Sequence, residues 1–133
     1  MAYQQRKIPF AGAIESNPET RPFFEGCAAG VLKVPHCKAC RRSHWYPRGV
    51  CPHCMSQDLA WKDSVGQGTI YSFSVMKRAE VPYCIAYVTL AEGPTMLTNI
   101  VECDLDTVRI GQKVALHFVP TEGGPPMPFF TPA

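Results

Sequence analysis

The sequence predicts a mainly β chain in which one short N-terminal helix leads into a four-cysteine hairpin and then a small barrel. Three observations carry this: two C-x-x-C pairs, a change to period-two alternation after residue 67, and the lack of a second helical pattern downstream.

The pairs are Cys37-Lys38-Ala39-Cys40 and Cys51-Pro52-His53-Cys54, with ten residues between them. Two cysteines three apart on a tight turn aim both sulfurs at one point, and a hairpin that brings a second such turn opposite completes a tetrahedron around zinc. The spacing predicts a zinc ribbon with Cys37, Cys40, Cys51 and Cys54 as ligands. A site closed by four thiolates has no open position for water or substrate, so the metal is expected to be structural. Iron held as in rubredoxin uses similar loops, and a redox dithiol or disulfides are the other readings. His36 and His53 adjoin the ligands and are expected near the site or in solvent. His44 and His117 carry no signal.

Cys27, Cys84 and Cys103 stand alone, and an odd total argues against a disulfide framework. Together with the lack of a charged-then-apolar leader and of any apolar run able to cross a bilayer, this predicts a cytoplasmic protein with no membrane partner. Cys84 lies among apolar residues and Cys103 lies beside Glu102 and Asp104, surroundings that raise a thiol's pKa.

The net charge of +2 is too small to imply nucleic-acid or membrane affinity. From Gly26 to Gln57, however, there is no acidic side chain, while Lys33, Lys38, Arg41, Arg42 and Arg48 all fall there. These cations either solvate the hairpin and steady the anionic metal centre or face an acidic partner or a phosphate group.

Asn17-Pro18-Glu19-Thr20-Arg21-Pro22 supplies cap residues and first-turn prolines, and Phe23 to Ala29 continues a helix to a stop at Gly30. Phe23 and Phe24 cannot both face one core, and the residues through Phe10-Ala11-Gly12 read as an extended arm needing something to dock on. After the ribbon, Gly68–Met76, Tyr83–Leu90, Met96–Val101 and the stretch around Val114, Leu116 and Phe118 read as strands. Tyr71, Phe73 and Val75 are expected on one core face. Four short strands with glycine turns favour an OB-fold. The tail from Pro120 is too rich in proline for a helix or a central strand, so it is expected to run over a surface and to pack Met127, Phe129 and Phe130 on this chain or another. The expected organisation is an arm and helix over 1–30, a ribbon over 31–62, an OB-fold over 63–119 and a proline-rich tail over 120–133.

With these features in order, the chain resembles a known family. The helix ending in Gly30, Leu32 to Cys40, Pro47 to Cys54, Gly66-Gln67-Gly68-Thr69-Ile70-Tyr71-Ser72-Phe73 and Ile110-Gly111-Gln112-Lys113-Val114 look like acyl-CoA-associated proteins that join a rubredoxin-like zinc ribbon to a C-terminal OB-fold. Members are small subunits or fused domains that work with thiolase-superfamily enzymes, and others accompany hot-dog hydratases. Arg41 stands where the family's first knuckle often has glycine.

The residues show no paired carboxylates, nucleophile elbow or phosphate-cradling glycine loop. The resemblance therefore implies a non-catalytic accessory subunit of a thiolase, acyltransferase or aldolase complex, with acyl-CoA at or near the partner interface. One alternative is a stand-alone CoA-binding module in which Lys38, Arg41, Arg42 and Arg48 contact phosphates. The other is a single-stranded nucleic-acid binder that stacks bases on Trp45, Tyr46, Tyr71 and Phe73; the net acidic barrel half disfavours it.

Overall fold

Pro18–Thr20 form a 3-10 turn that runs into helix α1, Arg21–Ala28, in the computed structural model of the protein, which describes residues 2–10 and 17–133. Pro22 sits in the first turn, where a missing N–H leaves no bond unmade. The helix ends where Gly30 takes a φ of 76°, and the Val31 N–H donates to the Gly26 carbonyl at 2.8 Å. Phe23 is buried and Phe24 half-buried, the division the sequence requires.

Of the predicted arm, residues 11 and 12 lie outside the described residues. The part before them docks on its own barrel: Phe10 N–H donates to the Glu122 carbonyl at 3.0 Å and Glu122 N–H to Ile8 at 2.8 Å. The Arg6 guanidinium lies 3.8 Å over the Tyr83 ring, and Phe10 meets Phe24 edge-on at 5.4 Å.

Strands β1, Lys33–Cys37, and β2, Leu59–Asp63, pair antiparallel and form the stem of the ribbon. The barrel follows with β3, Gln67–Met76; β4, Tyr83–Leu90; β5, Thr95–Ile100; β6, Lys113–Val119; and β7, Met127–Pro132. Around the barrel the order is β3-β4-β5-β7-β6, with β6 pairing back to β3 and only β5 and β7 parallel. That closed five-strand arrangement is an OB-fold and leaves no open sheet edge. Ile70, Val88, Ile100, Val114 and Phe130 fill its interior, and Phe23, Cys27, Leu32 and Val34 extend the same core to the helix and β1. Close approach fixes Gly68, where a Cβ would stand 2.5 Å from Val88 Cγ1.

Two expectations fail here. Tyr71 is 69% exposed and does not share the core with Phe73, because the β3–β4 register shifts between Ile70 and Ser72. That bulge turns the inward position over to Ile70 and breaks the alternation that placed Tyr71 inside.

The proline-rich tail does not run over a surface: its last part is β7, which lies between β5 and β6 and closes the barrel. The prolines tolerate this by parity. Phe130 presents its carbonyl to β5, where Val101 N–H donates at 2.8 Å, so Pro128 and Pro132, two residues either way, also direct their donor-less nitrogens toward that side. The antiparallel ladder to β6 uses the intervening residues, and the β5 side holds a single register pair, Ile100 with Phe130. Buried Phe129 and Phe130 then repay the ordering of the strand.

Candidate metal centre and the seam cavity

Each C-x-x-C pair forms a knuckle with the same backbone pattern. In the first, Arg41 N–H donates to the Cys37 carbonyl at 2.9 Å and Cys37 N–H to Arg42 at 2.9 Å; in the second, Met55 N–H donates to Cys51 at 3.0 Å and Cys51 N–H to Ser56 at 2.8 Å. Both turns need a left-handed residue just after the second cysteine. Arg41 has φ 62° and Met55 has φ 67°, so arginine adopts the conformation that glycine supplies elsewhere.

The knuckles bring four sulfurs together, all within 4.8 Å of one another. Cys37 Sγ lies 3.6 Å from Cys54 Sγ, and Cys40 Sγ lies 3.7 Å from Cys51 Sγ. Zinc–sulfur bonds of about 2.3 Å place the corners of a tetrahedron about 3.8 Å apart, so these two pairs already stand at the spacing of zinc-bound sulfurs. Backbone N–H groups of Cys40 and His53 point at Cys37 Sγ and Cys51 Sγ, at 3.5 and 3.3 Å, as expected around thiolates that carry charge. His36 takes no part in the cluster: its Nδ1 is 3.0 Å from Ser43 Oγ.

The other thiols are poor nucleophiles. Burial pushes Cys27 and Cys84 up to about 11, and burial with the neighbouring Asp104 raises Cys103.

Of the four cations singled out in the sequence, Arg41 and Arg42 line a cavity of about 630 Å³ at the seam between ribbon and barrel, whereas Lys38 and Arg48 are exposed and do not line it. The cavity also takes His36, His44 and Lys62 from the ribbon and Gly93-Pro94-Thr95 from the β4–β5 turn. Sequence reasoning passed over His44 and Lys62. The β1–β2 register sets Lys62 opposite Val34 and places it beside His36, and no local pattern announces that pairing. His44, held through its N–H to the Pro35 carbonyl at 3.0 Å, is only 3% exposed. On the other side of Trp45 a nearly apolar groove of about 260 Å³ runs between Phe24, Tyr46, Leu97 and Met127.

A four-cysteine ribbon in series with an OB barrel, sharing one core, defines a two-part class of zinc-ribbon and OB-fold proteins. Family models for the ChsH2 rubredoxin-like zinc ribbon domain match residues 24–60, and those for the ChsH2 C-terminal OB-fold domain match residues 61–119. The chain belongs to this ChsH2 (DUF35) family. It is 32% identical over 122 residues to a probable enoyl-CoA hydratase alpha subunit of Thermomonospora curvata, covering 88% of this chain but 38% of that one. It is 33% identical over 89 residues to a DUF35 domain-containing scaffold protein of Methanothermobacter thermautotrophicus, covering 62% of this chain and 67% of the relative. Among solved structures, a chain of the Ltp2-ChsH2(DUF35) aldolase superposes with a TM-score of 0.78 at 31% identity, over 87% of this chain and 95% of that one. A DUF35 protein of Sulfolobus solfataricus shares the fold at 16% identity and TM-score 0.64.

Proposed function

We propose that the chain is a zinc-containing, non-catalytic accessory subunit of a cytoplasmic thiolase-superfamily enzyme acting on an acyl-CoA. One observation carries the reading: the likeness to a chain of an aldolase assembly spans both ribbon and barrel, not the metal knuckles alone. The scaffold names of the archaeal relatives agree with it. In this role the zinc is structural and holds the knuckles, and the protein orders the catalytic subunit's loops and walls part of the acyl-chain path. Its contribution is positioning, which lowers the barrier without supplying a reacting group. The half-buried and exposed apolar residues around Trp45, Tyr46 and Leu97 offer a surface for that contact.

A second reading has its own support. The T. curvata relative is named as a hydratase subunit, and this chain corresponds to 38% of it, so the partner activity could be a hydratase supplied by another chain. Co-expression with a thiolase-like subunit and, separately, with a hot-dog hydratase decides between them. The thiolase reading expects co-purification with the first and aldol or thiolytic turnover only in the complex. Co-purification with the hydratase alone, or turnover by the isolated chain, overturns it.

A further inference from the structure

The seam cavity collects positive charge from separate parts of the ribbon. Arg41 and Arg42 come from the end of the first knuckle and Lys62 from β2, and none of the three makes an ion pair among the described residues. The acidic residue on this wall, Glu92, is already committed: its carboxylate accepts from Ser64 Oγ at 2.8 Å and from Val65 N–H at 2.9 Å, which ties the ribbon–barrel linker to the β4–β5 turn. His44 adds a second, independent sign. It is buried in this wall, and neither ring nitrogen has a hydrogen-bond partner among the described residues. Leaving a buried polar group unpaired is costly, so such a group is expected to have a use.

We propose that the seam cavity is a binding site for a phosphate group, held by Arg41, Arg42 and Lys62 with His44 donating a hydrogen bond from the buried wall. Guanidinium forks match phosphate oxygens in pairs, and a lysine adds a point charge. The cavity is within the size range of small-molecule sites and larger than one phosphate needs, so a phosphomonoester with an organic body fits better than the bare ion. The accessory-subunit reading bears only on where the phosphate comes from, because a nucleotide-bearing thioester is one source and free phosphate another. The site itself stands on the ribbon's own residues.

The test uses the zinc-loaded full chain without any catalytic partner, titrated with inorganic phosphate and with adenosine 3′,5′-bisphosphate, and followed by calorimetry and by the imidazole ¹⁵N resonances of His44. Two charge-matched variants are compared: Arg42→Gln/Lys62→Gln inside the cavity and Lys38→Gln/Arg78→Gln outside it, where both side chains are exposed and neither lines the cavity. Each lost charge-assisted bond is worth enough to weaken binding by about tenfold or more, so the cavity pair should lose affinity steeply while the outer pair stays near the parent. His44 should shift on titration. Bisphosphate binding tighter than phosphate assigns a nucleotide source, and equal affinity assigns free phosphate; both uphold the site. Equal losses in the two variants, unmoved His44 resonances or no binding of either probe at millimolar concentration would overturn it. Zinc content checks that each variant is folded, with Lys62→Gln alone as the mildest change. A chain that binds the bisphosphate yet associates with no thiolase-like subunit would keep this site and sink the accessory reading instead.

Discussion

Between Lys38 and Asp58 the ribbon buries only His44 and Cys51, whereas the barrel between Gln67 and Pro132 buries Ile70, Val88, Ile100, Val114, Phe130 and a dozen other residues in whole or nearly so. A loop with so little apolar burial cannot offset the entropy of ordering its backbone, which runs to roughly 1–2 kcal/mol per residue. The barrel can, and its closure removes every edge. The two halves therefore rest on different physics, thiolate–metal bonds in one and apolar packing in the other, although Leu32 and Val34 of the ribbon stem sit in the shared core.

The strongest way to break this contrast is to remove a ligand. Cys51→Ser is expected to lose the metal and melt residues 38–58, since structural zinc contributes about 10–16 kcal/mol of apparent folding free energy in small ribbons. Barrel amide resonances should survive, with changes confined to the seam. Elemental analysis and an amide spectrum check both, and a variant that unfolds globally would show that the ribbon and barrel are one cooperative unit.

The converse change acts on the barrel. Phe130→Ala is expected to cost about 3–5 kcal/mol, the cost of a buried aromatic truncated to a cavity, while zinc stoichiometry is retained. Cutting the chain before Pro125 goes further and removes β7 altogether, so it should open the barrel. Loss of partner binding by that truncation is then a consequence of unfolding and says nothing of a tail that grips a partner. Denaturant melts of the zinc-loaded proteins measure both.

A smaller effect belongs to pH. Burial, aided by His53, Arg48 and His36, lowers the pKa of His44 from its ordinary value of 6.5, so the folded protein keeps this imidazole neutral. The unfolded chain takes up a proton near pH 6.5, and the folded chain only further down. Stability contributed by His44 is thus complete above about pH 6.5 and is lost as the pH falls through the window beneath it. His44→Gln should flatten that part of the stability curve relative to the parent, with both measured at saturating zinc. Identical slopes would mean that His44 titrates normally and is more open than its burial implies.

The metal site was legible because four thiolates at this spacing have few other uses, and β4 was legible because Cys84, Ala86, Val88 and Leu90 alternate without interruption. What could not be read depends on pairing between distant segments. The bulge that exposes Tyr71 is set by the register with β4, and the acceptability of Pro128 and Pro132 depends on which side of β7 carries the ladder to β6. The same holds for the seam: Lys62 and His44 are 18 residues apart and meet only after β1 pairs with β2 and the first knuckle folds back on Pro35. In the sequence, Arg41, Arg42, Lys38 and Arg48 were equivalent cations on one basic stretch; tertiary placement divides them.

The finest distinction lies within the ribbon, between the two left-handed residues of its knuckles. A non-glycine side chain at positive φ costs roughly 1–2 kcal/mol, and glycine gives back about 0.5–1 kcal/mol of that through its greater freedom in the unfolded chain. Met55→Gly should therefore stabilise the zinc-loaded protein by up to about 1 kcal/mol, because Met55 is 75% exposed and surrenders little packing. Arg41→Gly relieves the same backbone strain at φ 62° but also takes a cation from the seam cavity. The two variants should raise the melting temperature by similar amounts, of order a few degrees for a domain of this size, while only Arg41→Gly weakens phosphate binding. If both variants bind the bisphosphate like the parent, the arginine at this turn serves the knuckle alone, and the cavity's charge must come from Arg42 and Lys62.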